Sequence, residues 1–260
     1  MARLLRPLAW FAIVMLLAGL APVTAWAQAA GSSEIPGFAP IGPDATLSYL
    51  ITGVLEEAVP SGAHLRVERI ALKTGDVIPA LDAGQIFVVE SGELSLTDDL
   101  GLEATLEAGT QLFIATEGYR DLTAATDARI LRASVAASDL SKAAATPVPA
   151  GQPNTENIFD QKLEALDPGA TLFVAEVELA GNGGSLGEQS YNGMTGIVST
   201  GAPLTVVRPG HVPSRLPEEQ DLFFPAGTVA TVTNDATPAA TVLIAGVIIP
   251  TSPAHQPSAT

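Results

Sequence analysis

The side chains that most often bind metals or attack substrates are scarce in this chain, which has three histidines and no cysteine. Without thiols there are no disulfides, thiolate metal sites, cysteine nucleophiles or lipid-modified cysteine anchors. A transition-metal centre needs three or four nitrogen or oxygen donors converging at about 2 Å, usually with imidazoles among them. His64 opens the run HLRVERIAL, His211 lies in PGHVPSR and His255 in TSPAHQPSAT, and a site needing all three together is not expected. The GNGG stretch at Gly181–Gly184 lacks a following lysine and joins two strand-like runs, so it reads as a loop and not a phosphate cradle. Adjacent acids such as Glu56-Glu57, Asp98-Asp99 and Glu218-Glu219 fall at turns. On a strand such neighbours face opposite ways, which is poor geometry for an acid–base pair.

The elements that would position any site are strands. Leu65–Leu96 alternates apolar and polar residues in LRVE before the apolar end of VERIAL, becomes densely apolar in QIFVVES, and is punctuated by Gly75, Gly84 and Gly92. A related pattern returns about 110 residues later. Setting SGAHLRVERIAL on PGATLFVAEVEL places Gly62 on Gly169, Leu65 on Leu172, Val67 on Val174 and Leu72 on Leu179. Twenty-four glycines and twenty prolines suit short strands joined by tight turns. Phe87 and Val89 share a parity, as do Leu94 and Leu96, and Leu112 and Ile114, and such faces are what packed sheets bury. The run Val242–Ile249 reads as a central strand. A net charge of −16, with no clustered cations, argues against nucleic acid or an anionic membrane as partner.

The first 29 residues have the layout of a secretory leader: Arg3 and Arg6, an apolar stretch from Leu8 to Leu20, then small residues at spacing two in Ala25-Trp26-Ala27 and Ala27-Gln28-Ala29. Cleavage after Ala27 or Ala29, with the mature chain in the cell envelope or outside the cell and not inserted in a membrane, is the expectation. An uncleaved N-terminal anchor is the alternative. Beyond the leader, residues 30–44 read as a lead-in that is either flexible or laid along the surface of the first domain, 45–136 as a first β domain, 137–168 as a linker, 169–250 as a second β domain and 251–260 as a disordered tail. Within the linker, Ile158, Phe159, Leu163 and Leu166 suggest one short helix stopped by Pro168 and Gly169.

The repeat unit resembles the cupin superfamily. Gly75 and Gly92 stand at the opening and closing glycines of that family's first signature, with VVESGEL as its valine-rich strand, and Gly109 and Gly118 fit the second. In the second repeat FFPAGTVATVTN supplies Pro225, Gly227 and Asn234 at matching positions. The resemblance implies an all-β chain of two jelly-roll β-barrels, and in family members three histidines and a glutamate hold a divalent metal inside the barrel. Here the glutamate positions carry Gln85 and Met194. The paired histidine positions carry Ile78 and Ala80 (or Pro79 and Leu81), and Gly187 and Gln189 (or Glu188 and Ser190). The last histidine position carries Asp121 and Ala230. No metal and no cofactor are therefore expected.

On the same mapping, Asp82, Gln85 and Asp121 in the first repeat, and Glu188, Gln189 and Asn234 in the second, line the barrel mouths, with Tyr191 placed to stack on a ligand. The expectation is an exported, non-enzymatic module binding a small polar ligand or a protein. A metal-dependent isomerase or dioxygenase using oxygen ligands is the alternative. Exposed strand edges leave a homodimer open.

Overall fold

The computed structural model describes residues 35, 37–42, 44–79, 84–98, 101–115, 121–136 and 153–249. The leader, the tail and Asp82 lie outside them. In chain order the first nine strands are β1 (Ala45–Val54), β2 (His64–Leu72), β3 (Val77–Pro79), β4 (Gln85–Ser91), β5 (Glu93–Thr97), β6 (Glu103–Glu107), β7 (Gln111–Ile114), β8 (Asp121–Ala124) and β9 (Ala128–Ala136). The next nine are β10 (Asn154–Lys162), β11 (Thr171–Leu179), β12 (Gly184–Tyr191), β13 (Gly193–Thr200), β14 (Leu204–Val207), β15 (Ser214–Leu216), β16 (Asp221–Phe224), β17 (Thr228–Asn234) and β18 (Ala240–Ile248).

These strands make two five-stranded sheets, β1-β11-β18-β13-β16 and β10-β2-β9-β4-β7, and two four-stranded sheets, β12-β17-β14-β15 and β3-β8-β5-β6. Adding nine to each number converts one set into the other, with one reciprocal exception. β1 pairs with β11 of the second repeat, and β10 pairs with β2 of the first. A cut between residues 136 and 169 therefore does not separate the sheets, because each repeat lends its first strand to the other. No sheet closes on itself among the described residues.

Burial follows this layering. Leu65, Val67, Ile86, Val88, Leu131 and Ala133 pack with Leu172, Val174, Leu243, Ala245 and Val247, so the two five-stranded sheets lie face to face. Their opposite faces pack on the four-stranded sheets: Ile70, Leu72, Phe87 and Ile130 with Leu94, Leu106 and Leu122, and Phe173, Val177 and Ile244 with Leu186, Leu204 and Val232. Inner strands covered on both faces must be apolar almost throughout, and β18, at the centre of its sheet, is buried at seven of its nine positions. Outer strands alternate instead, as in the buried-then-exposed rhythm of β8 and β14. Gly62 and Gly169, set together by the repeat, both turn with φ near +90° (91° and 90°), a conformation costly for a side chain bearing Cβ.

Two expectations change. Ile158 and Phe159 lie on the strand β10 and not on a helix, and Phe159 is fully buried between the inner sheets. The helical spacing of the apolar residues was overridden by tertiary pairing, since the edge of β2 takes this segment as a ladder partner. The lead-in does not lie on the first repeat. Ile35 is buried in the core of the second, and Phe38 and Ile41 pack against that core. Among the described residues no helix is long and apolar enough to cross a membrane.

Candidate functional site

Among the described residues, those expected at the barrel mouths do not converge. Gln85, at the start of β4, is fully buried and shares its face with Phe87 and Val89. Asp121, expected beside it, is exposed, because β8 turns Leu122 and Ala124 into the core and strand alternation sends Asp121 outward. Glu188 likewise faces solvent while its neighbour Gln189 is buried. Asn234 is inside, but its amide is spent on the backbone: Nδ2 donates to Pro238 O at 2.8 Å and approaches Ala180 O at 3.3 Å, and Oδ1 accepts from Ala236 N at 3.1 Å. Tyr191 stacks on the chain's own Phe224, ring centroids 4.3 Å apart, and burial pushes its phenol well above the ordinary range. Gln189 closes a bulge in which the register of β12 on β17 shifts between Ser185 and Glu188, its Nε2 donating to Leu186 O. Gln189 Oε1 and Tyr191 Oη are left buried without a hydrogen-bond partner. Such atoms each cost about 1–3 kcal/mol.

Gly183-Gly184-Ser185-Leu186-Gly187 has the G-x-S-x-G form of a nucleophile elbow. That motif requires a sharp strand-to-helix turn, whereas Ser185 lies within β12. Its Oγ donates to Val232 O at 3.1 Å and accepts from Gly187 N at 3.0 Å, so it brackets the same bulge.

The polar site that the fold does assemble was missed. On β2, His64, Arg66 and Glu68 share the parity of Ile70 and Leu72, and on β9, Arg132 shares that of Ala128 and Ile130, so all four face inward toward the outer sheet of the first repeat. Arg132 donates from Nε and Nη2 to Glu68 Oε2 at 3.1 and 2.5 Å. Arg66 Nη1 stands 4.0 Å from Glu68 Oε1, while its Nη2 donates to Asp160 Oδ2 at 2.9 Å. His64 Nδ1 bonds Asp160 Oδ1 at 2.5 Å, so the exchanged strand β10 completes the network. The side chains of Arg66, Glu68 and Arg132 are 12%, 6% and 15% exposed, which makes this a nearly dry row of charges. Buried Ser134 and Gln85, paired across β9 and β4, continue the same face.

The second repeat treats these positions differently. Arg66 corresponds to Phe173 and Glu68 to Ala175 in the repeat alignment. Leu72 pairs with Ala128 as Leu179 pairs with Ala240, which sets Arg132 on Ile244. Phe173, Ala175 and Ile244 are all fully buried in apolar core. The signal was present in HLRVERIAL, where charged residues occupy the parity that later buries Ile70 and Leu72.

Burial alone would raise the pKa of Asp160, but the hydrogen bonds from His64 and Arg66 outweigh it and hold the carboxyl below its ordinary range. A depressed carboxylate adds stability above its unfolded pKa and loses it as pH falls through the folded value. Asp160→Asn, which cannot ionise, should therefore show a weaker loss of stability than wild type between roughly pH 5 and pH 1. Urea unfolding across that range measures the slope, and equal slopes would show that Asp160 is not a source of acid lability.

The positions at which the resemblance implies a metal do not fit one. Ile78 and Gln85, with exposed Asp121, supply no converging donors, and no group of three or more His, Cys, Asp or Glu side chains among the described residues is arranged to hold a metal ion. No family model and no curated protein matches the chain. Solved structures do. A mutant of Bacillus subtilis oxalate decarboxylase OxdC aligns over 80% of this chain and 79% of its own, with 10% identity and a TM-score of 0.50. The all-β fold resembles that of this decarboxylase. The cupin 2 conserved barrel domain protein from Leptotrichia buccalis aligns over 78% of this chain and 97% of its own at 14% identity, TM-score 0.40. YhaK from Escherichia coli aligns over 76% and 93% at 16% identity, TM-score 0.46. At such identities the likeness concerns the fold alone.

Proposed function

We propose that this chain is an exported binding module, two jelly-roll domains that exchange their first strands, which holds a small polar ligand on the charged inner face of the first repeat and carries out no metal-dependent chemistry. The one-sided charge carries the reading: Arg66, Glu68 and Arg132 occupy positions where the second repeat packs Phe173, Ala175 and Ile244. The same backbone plan thus folds with apolar residues there, and taking charges out of water is costly unless something offsets it. The two guanidiniums and the imidazole now hold Glu68 and Asp160, and an anionic ligand such as a carboxylate would share or displace those side chains, since arginine grips a carboxylate in a planar, bidentate manner. The leader-like first 29 residues support export.

The test is thermal unfolding with acetate, succinate, citrate and gluconate at matched ionic strength. A ligand at a hundred times its Kd should raise Tm by about 5–10 °C in a chain of this size. Arg132→Leu should abolish the shift. No shift with any of them would sink the anionic-ligand reading, and stoichiometric transition metal in the purified protein would favour the isomerase or dioxygenase alternative.

A further inference from the structure

Residues 37–42 run back along β12 as a strap. Gly37 O accepts a hydrogen bond from Asn192 Nδ2 at 3.4 Å, and the Phe38 ring meets Tyr191 edge-on with centroids 5.2 Å apart. Further along, a Cβ on Gly187 would lie 3.6 Å from Pro40 O, and a Cβ on Gly42 only 2.7 Å from Ser185 O. The contacts descend in antiparallel order, as a paired strand's would. Yet among the described residues no backbone hydrogen bond joins 37–42 to β12; the strap's own backbone bonds are Phe38 N to Ile35 O and Ala45 N to Gly42 O. Side chains hold it down. Ile35 is 1% exposed, and Phe38 also meets Phe173 edge-on at 5.8 Å.

Two orphaned atoms, Gln189 Oε1 and Tyr191 Oη, belong to alternate residues of β12, the strand along which the strap runs, and so to one face of it. A Cβ on Gly187 would lie 3.7 Å from Gln189 Nε2 and 3.6 Å from Pro40 O, so the amide and the strap approach the same glycine. Native folds retain few unpaired buried polar atoms, and each needs a reason. Phe38 supplies a ring to this place and no hydrogen bond.

We propose that the strap is a displaceable stopper, and that the place of the Phe38 ring is a binding site for a small aromatic molecule bearing a hydroxyl. The ring of the ligand takes the position of Phe38 between Phe173 and Tyr191, and its hydroxyl bonds Gln189 Oε1 or Tyr191 Oη. The site lies in the second repeat, apart from the charged face, and stands or falls independently of it.

Phenol is the probe and toluene the control, with binding followed by calorimetry on the wild-type protein and on Phe38→Ala. Removing the internal competitor should tighten phenol binding by about tenfold or more. One hydrogen bond to an otherwise unpaired atom should favour phenol over toluene about fivefold, and the preference should vanish in the Phe38→Ala variants that also carry Tyr191→Phe and Gln189→Leu. In the wild type, saturating phenol should speed hydrogen exchange at the Phe38 and Ile41 amides as the strap leaves. Phenol bound no more tightly by Phe38→Ala, or toluene bound as well as phenol, would show an incidental hole and overturn the proposal. If Phe38→Ala does not fold, the wild-type exchange experiment decides, and unchanged exchange with phenol overturns it.

Discussion

Glu68→Ala is expected to destabilise the protein by about 3 kcal/mol, the low end of what breaking a buried ion pair costs. The carboxylate is 6% exposed and takes both hydrogen bonds from Arg132. Its removal leaves that guanidinium in a nearly dry place with nothing to face. The cost stays at the low end because Arg66 keeps Asp160. The triple change Arg66→Phe, Glu68→Ala and Arg132→Ile should behave in the opposite way. It installs the set that the second repeat already packs at these positions, and replacing a buried ionic network by well-packed apolar groups is often neutral or stabilising by about 1–4 kcal/mol. Urea unfolding of the two variants separates the cases. A triple variant as unstable as the single one would mean that the network is a structural necessity of the first repeat. A stable triple variant that has lost anion-induced stabilisation would mean that the charges are kept for recognition.

The two repeats show why the fold was more legible than the site. Leu65 and Leu172, Val67 and Val174, and Leu72 and Leu179 are all buried, as the alignment of the two runs required, because alternation along a strand translates directly into burial. Which strand pairs with which is a different kind of fact. The edges of β2 and β11 are equivalent, and local pattern says nothing about whether β1 or β10 covers each, so the exchange and the strand nature of Asn154–Lys162 were hidden. The site was sought at positions inherited from a metal-binding family. There Asp121 and Glu188 failed by strand parity, and Asn234 by the demands of its own turn. The inward-facing Arg66 and Glu68 were overlooked because a charged residue in an alternating strand is ordinarily the solvent-facing one. Comparison of the repeats resolves the ambiguity, since Phe173 and Ala175 at the same parity could only face a core.

The strand exchange makes its own prediction at Gly53. This residue of β1 lies in a sheet of the second repeat, opposite Leu172, while the ring of Phe113 from β7 of the first repeat lies directly on it. A Cβ at Gly53 would stand 1.9 Å from Phe113 Cδ2 and 2.1 Å from Cγ. Gly53→Ala should therefore destabilise the protein by about 3 kcal/mol, the upper part of the usual range for overpacking, because the ring is pressed between the two repeats. Nothing else about the substitution is unfavourable. Gly53 is not among the glycines with positive φ, and alanine in a regular strand ordinarily gains about 0.5–1 kcal/mol over glycine. The ring is thus the whole cause, and a double-mutant cycle isolates it. In a Phe113→Ala background the same Gly53→Ala change should cost nothing and instead gain about 0.5–1 kcal/mol, the ordinary advantage of alanine over glycine in a strand. Equal costs in the two backgrounds would place the steric conflict elsewhere on β1. Loss of the penalty would show that a single close contact, backbone of one repeat against ring of the other, clamps the exchanged strand where it lies.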